Sequence, residues 1–237
     1  MEYAQAAADA GLTVLGFSDH TPYIFPDVYY SHMRMYPDQL SGYVRQVLEA
    51  REAFRGQMEI PLGLEVEYYP KHWKETLSLV RDAGIEYFLL GQHWCGNEMD
   101  APYNGKPTDR EADLARYCSQ VMDAMQTGLF SYLAHPDLIR FTGSDPIYRN
   151  HVRWLCREAK SCGVPLEINL LGIATNRHYP NPAFWEVAAE ESCPVVIGLD
   201  AHAPEAFGDP EPEARAREMI AALGLNLQET VTLRGIL

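Results

Sequence analysis

The chain has 237 residues, 47% of them hydrophobic, and a formal net charge of −14. That length supports one well-buried domain, and the acidic balance lacks the broad positive field that nucleic acid or an anionic membrane demands. No segment has the apolar length of a membrane span, and the opening MEYAQAAADAG has no basic stretch before an apolar run, so it does not read as a signal peptide.

Residues 1–10 are alanine-rich and predict a helix that Gly11 ends. A strand is expected over 13–17, then a tyrosine-rich loop holding Pro22, Pro26 and Pro37. Apolar residues at helical spacing predict a helix over 38–54, followed by a strand at 60–66. A helix over 73–83 and a strand over 87–90 come next, then a loop over 95–108 with Gly, Asn and Pro. The pattern continues with a helix at 109–127, a strand at 130–134 and a helix at 146–162 that Gly163 closes. A strand at 165–168, a helix at 183–191, a strand at 195–199, a helix at 211–223 and a short strand at 229–233 complete the chain. No low-complexity linker interrupts it, so residues 1–237 read as one domain. Strands alternating with helices predict a parallel sheet with right-handed crossovers.

Polar side chains with metal-ligand chemistry stand where the apolar runs end. They are Asp19 and His20 in GFSDH, Glu65 in GLEVEYY, His93 in LLGQHW, His135 in LAHPD, Glu167 in LEIN, and Asp200 and His202 in VIGLDAH. A closed α/β barrel gathers all its strand ends at one rim, whereas an open doubly wound sheet places its site at one switch point. Ligands on so many strands favour the barrel. Imidazole mixed with carboxylate suits zinc, manganese or iron. The set is too large for one tetrahedral ion and fits two or three divalent ions that activate water for hydrolysis. No GxSxG elbow, P-loop or GxGxxG offers another mechanism. The five cysteines, at 95, 118, 156, 162 and 193, form no CxxC pair and read as reduced thiols of a cytoplasmic protein.

Taken in order, GFSDH, GLEVEYY, GQHW, AHPD, EIN and GLDAH resemble the successive motifs of the PHP (polymerase and histidinol phosphatase) family. PDVYYSHMRM and YPNPAFWEVAAE resemble its histidinol-phosphate phosphatase branch. The resemblance implies a distorted (β/α)7 TIM-like barrel, two or three metal ions (Zn, Mn or Fe), and hydrolysis of L-histidinol phosphate to L-histidinol and phosphate in histidine biosynthesis. It implies His20, Glu65, His93, His135, Asp200 and His202 as metal ligands, with the four histidines and Asp200 carrying the catalysis. Asp19, Asp137, Glu167 and Asn169 would orient those ligands from behind. Arg140, Arg177 and Arg34 are candidates for the phosphate's oxygens, because the guanidinium fork suits phosphate. His32 and His178 are candidates for protonating the leaving group or meeting the substrate's imidazole. Tyr23, Tyr29, Tyr30 and Tyr36 are candidates for a pocket wall.

One departure stands out. Family members open with a strand ending in His-x-His, and this chain has no such motif. The barrel therefore reads as missing its first strand and two imidazole ligands. That leaves two strand edges suited to pairing with another chain, as in a homo-oligomer. The expected partner is a small phosphorylated substrate, with neither nucleic acid nor membrane. Two other readings are a PHP phosphoesterase acting on nucleotides or nucleic-acid ends, and a barrel that binds metal without turnover.

Overall fold

Seven parallel strands, paired in chain order, form the sheet of the computed structural model, which describes residues 1–26, 29 and 31–236. The strands are β1 (Phe17–His20), β2 (Leu62–Val66), β3 (Tyr87–Leu90), β4 (Phe130–Leu133), β5 (Leu166–Asn169), β6 (Pro194–Gly198) and β7 (Asn226–Leu227). Eight α-helices accompany them among the described residues: α1 (Glu2–Asp9), α2 (Leu40–Ala53), α3 (Trp73–Arg81), α4 (Glu111–Gln126), α5 (Asp145–Cys162), α6 (Leu170–Ala174), α7 (Pro182–Glu190) and α8 (Glu211–Leu223). None is long and apolar enough to cross a membrane.

Helices cover the outside of the sheet, so its central strands are buried on both faces and read as apolar runs. All residues of β2 and β3 are buried. Trp73 of α3 stacks on Phe130 of β4 with centroids 5.8 Å apart and also meets Phe88 of β3, joining helix layer to sheet. Gly163 ends α5 in the left-handed conformation at φ 61°, a backbone state that suits glycine. Inside the sheet, the Tyr87 ring lies over Gly63, where any β-carbon would overlap it.

Strand pairing runs from β1 to β7, with no pairing between β1 and β7 among the described residues. The TIM-like barrel is thus open along a seam. Its register there ends at His20 beside Glu65 on one side and at Leu227 beside Val195 on the other. A cavity of about 1960 Å³ follows the seam. It reaches from His20, Glu65 and Asp200 at the rim down to Tyr87 and Tyr132, past Ser18, Ile197 and Val231.

Three local expectations shift. β1 is Phe17–His20 instead of 13–17, because Val14 makes only an isolated bridge to Glu59 while the ladder begins at Phe17 and Leu62. Asp19 and His20 therefore belong to the strand itself. β7 is Asn226–Leu227 instead of 229–233. Beyond Gln228, whose N–H meets Val195 O, the chain leaves the sheet; Arg234 donates its N–H to Ser131 and its guanidinium to the carbonyls of Cys162 and Gly163. Those carbonyls are left unpaired where α5 ends, and an arginine satisfies them. Helix α6 was not anticipated; the Asn169 side chain caps it by accepting from Gly172 N at 2.8 Å.

Candidate metal centre

Glu65, delivered by β2 and 8% exposed, is the hub of the rim. Its Oε1 lies 3.0 Å from His135 Nε2 and 3.7 Å from His93 Nε2, and its Oε2 lies 3.4 Å from His20 Nδ1. The imidazole of His93 stands between the other two, with centroids 5.0 Å from His20 and 4.9 Å from His135. Gly91 makes this packing possible. A β-carbon there would overlap the Glu65 carboxylate, with Cδ only 2.6 Å away.

His135 sits just past β4 at φ 29°, an uncommon backbone state for a residue with a side chain. Its N–H donates to Glu167 Oε2 at 2.8 Å and its carbonyl accepts from Leu138 N at 2.9 Å, which hold the strained turn. The Asn169 amide then links Glu167 Oε2 and Asp200 Oδ2, each at 3.0 Å. Glu167 is braced over Gly198, where again no β-carbon fits. Burial pushes the Glu167 carboxyl up to about 7.

Charge is concentrated at the hub. Burial alone would raise the Glu65 carboxyl, but His20, His93 and His135 outweigh it and hold it well below the carboxylate range. Burial would lower His135; its hydrogen bond to Glu65 and the surrounding carboxylates outweigh that and push it up to about 9. Burial keeps His93 below its ordinary value.

The donor set fits a divalent metal. His20 Nδ1 and His135 Nδ1 are buried without a hydrogen-bond partner, next to an ionised carboxylate with both oxygens facing imidazoles. Glu65, His93 and His135 form one group with ligand spacing, and His20, Glu67 and His93 form another. Ligands bind a metal only after losing their protons. Since His135 retains its proton up to about pH 9, an incoming ion must displace it. Metal affinity should therefore climb with pH between about 6 and 9, by up to roughly tenfold per unit for each proton displaced. Chelator competition titrations at stepped pH measure this, and a flat profile would refute it.

The other predicted residues are placed as follows. Asp200, at φ 50° after β6, reaches the group through Asn169. His202 does not join the hub: its side chain is 62% exposed and its Nδ1 lies 2.9 Å from Asp200 O. Asp19 is exposed, and its Oδ1 accepts from His20 N at 2.7 Å. Asp137 is buried and touches none of the four central side chains; its Oδ2 accepts from Asn181 N and from Trp185 Nε1. Arg177 stands at the rim, donating to Thr175 Oγ1 at 3.2 Å and Tyr179 OH at 2.5 Å. His178 Nε2 donates to Leu138 O at 2.8 Å. Arg140 is exposed, close enough for its charge to lower His178. His32 is exposed in the loop after β1. Of the tyrosine cluster, Tyr23 packs on Tyr69 beneath Arg34, and Tyr30 lies outside the described residues.

Arg34 is not on the cleft surface. It is buried, and its guanidinium donates to Glu67 at 2.8 and 2.9 Å, to Glu98 at 2.6 and 3.1 Å, and to Thr21 O at 2.9 Å. Every donor it has is committed to the protein, which leaves none for a phosphate.

Glu67, Glu98 and Tyr103 were not anticipated. Glu67 Oε1 lies 2.9 Å from His93 Nδ1. Tyr103 stacks parallel to His93, with centroids 6.3 Å apart and planes at 12°. Asn104 fixes that loop through Gln92 O and His93 O. The second glutamate of GLEVEYY was the available signal for Glu67. Nothing in the spacing of the 95–108 loop marks Tyr103.

A family model described as a PHP domain matches residues 1–170. The chain belongs to the PHP family. It is 32% identical over 218 residues to a probable histidinol-phosphatase of Deinococcus radiodurans, spanning 87% of this chain and 81% of that protein. Among solved structures it resembles the histidinol phosphate phosphatase of Lactococcus lactis complexed with zinc, L-histidinol and phosphate. The TM-score is 0.68 at 19% identity, over 98% of this chain and 89% of the other. A putative histidinol phosphatase of Listeria monocytogenes gives 0.65 at 16% identity, over 87% and 90%. The TIM-like PHP barrel is the fold shared with both.

Proposed function

We propose that this PHP-family protein is a metal-dependent phosphatase that hydrolyses L-histidinol phosphate to L-histidinol and phosphate, with histidine biosynthesis as the expected setting. The observation that carries it is the buried Glu65 carboxylate ringed by His20, His93 and His135 at the barrel rim. The relatives named above support the substrate, and the zinc of the Lactococcus lactis structure supports the metal class.

Divalent metal, when bound, supplies Lewis acidity at a phosphoryl oxygen and an acidified water. The chain's own groups do the rest. Glu65, the three imidazoles and Asp200 would hold two or three ions of zinc, manganese or iron, with the exposed His202 outside that group. Arg177 offsets phosphate charge at the rim, with Arg140 further out. His178 commits its Nε2–H to Leu138 O, so the neutral ring's Nδ1 lone pair is free to accept a hydrogen bond from the substrate's imidazole N–H, not to protonate the leaving oxygen. Tyr103, which feels the charges of Arg177, Glu65 and Asp200 together, walls the substrate side. The five unpaired thiols suit a cytoplasmic setting. The β1 edge, without a second strand partner among the described residues, supports self-association through the seam, measurable by light scattering. A net charge of −14 argues against polymeric nucleic acid.

Steady-state rates on a panel of phosphomonoesters, with metal added, test the substrate. Histidinol phosphate should exceed the others by at least about tenfold in kcat/KM, the scale of one or two well-made polar contacts. Equal rates across the panel would remove the substrate assignment, and cleavage of a 3′-labelled oligonucleotide would replace it with the nucleic-acid-end reading.

A further inference from the structure

We propose that Glu67, clamped by Arg34, is a positioning residue that fixes the tautomer of His93 and so aims its Nε2 lone pair at the metal centre. The inference deepens the metal-centre reading and rests on it. Glu65 and Glu67 are two residues apart, and both lie within ligand distance of His93. Their surroundings give them opposite tasks. Among the described residues, Glu65 faces three imidazoles and pairs with no arginine or lysine. Glu67 is fully buried, and both its oxygens accept from the Arg34 fork: Oε2 from Nη1 at 2.8 Å and Oε1 from Nη2 at 2.9 Å.

Arg34 cannot swing away. Its remaining N–H groups are held by Glu98 and Thr21 O, and the Tyr23 ring lies under the guanidinium, 4.9 Å from its carbon. Glu67 is therefore a fixed carboxylate that only accepts. The ring atom facing it, His93 Nδ1 at 2.9 Å, must bring a hydrogen. A neutral imidazole with its proton on Nδ1 leaves the lone pair on Nε2, the atom that points at Glu65 Oε1. A carboxylate behind a ligating imidazole sets ring orientation and raises ligand strength. Glu98 belongs to the loop that also bears Tyr103, so the same guanidinium ties that loop to β2.

The test reads the tautomer directly. In metal-free wild-type protein labelled with ¹⁵N-histidine, at mildly alkaline pH, long-range ¹H–¹⁵N spectra should show His93 protonated on Nδ1 alone. Protonation on Nε2 would overturn the proposal without any variant. Glu67→Met should fold, because Arg34 keeps Glu98 as its counter-ion. In it, the Nδ1–H preference of His93 should vanish while the His135 signals stay in place. Affinity for zinc, measured by chelator competition, should fall about 10- to 100-fold. A folded Glu67→Met that keeps both the tautomer and the affinity would also overturn it. Loss of phosphatase activity plays no part in these readouts, so the proposal stands or falls separately from the substrate assignment.

Discussion

Glu65→Ala should strip metal from the centre and lower phosphatase kcat/KM by about 10²–10³-fold, the range seen when one preorganised electrostatic element of a site is removed. The size follows from its position. Its Oε1 serves His93 and His135, its Oε2 serves His20, and the three imidazoles hold it ionised against burial. Without it the imidazoles lose the carboxylate that would ligate the ion beside them and offset its charge. Gly91→Ala should reach part of the same end from the backbone, because its methyl would displace the Glu65 carboxylate. Elemental analysis of the purified variants alongside kinetics decides the matter. A Glu65→Ala protein with full metal content and rate would show that the hub lies elsewhere.

The second large effect is on stability. Arg34→Met should cost about 3–5 kcal/mol, the usual consequence of breaking a buried ionic cluster from one side. For a domain of this size that corresponds to a fall in Tm of roughly 6–20 °C. Two carboxylates, Glu67 and Glu98, would remain buried without their cation. The pH dependence has a definite sign. Burial would raise Glu67, but Arg34 and His93 outweigh it and hold the carboxyl down to about 2, against an ordinary 4.5. In the wild type this group thus adds stability above pH 4.5, lost as pH falls toward 2. In the variant, burial without Arg34 raises the carboxyl instead, so its ionised form costs stability at neutral pH and the cost fades on acidification. The difference in Tm between the two proteins should be widest near pH 7 and narrow below pH 4.5, as thermal melts across that range would record. A gap that is constant with pH would mean that packing of the arginine stem, and not its charge, accounts for the loss.

Much of this was legible in the chain. The alternation of apolar strands with amphipathic helices determined a parallel α/β sheet, because only strands buried on both faces read as runs such as YFLL or LGLEV. Glycines at helix ends set boundaries well, since Gly163 and Gly224 take left-handed states that suit glycine. Polar residues at the strand ends marked the rim, and four of them, His20, Glu65, His93 and His135, do converge. Strand edges were harder. The 229–233 run has β-forming residues, but a strand exists only where a neighbour offers a ladder, and that information is not local.

By itself, then, the sequence determined the fold class, the rim and the residue types for metal chemistry, because periodicity and strand-end position are properties of the chain. Only the tertiary structure decided which charged groups meet. It buried Arg34, a cleft candidate by sequence, between Glu67 and Glu98. It left His202 outside the cluster and gave two glutamates two residues apart different partners. Pairing of charges across the fold depends on contacts between residues up to about 70 positions apart, such as His135 with Glu65. Spacing along a chain carries no record of them.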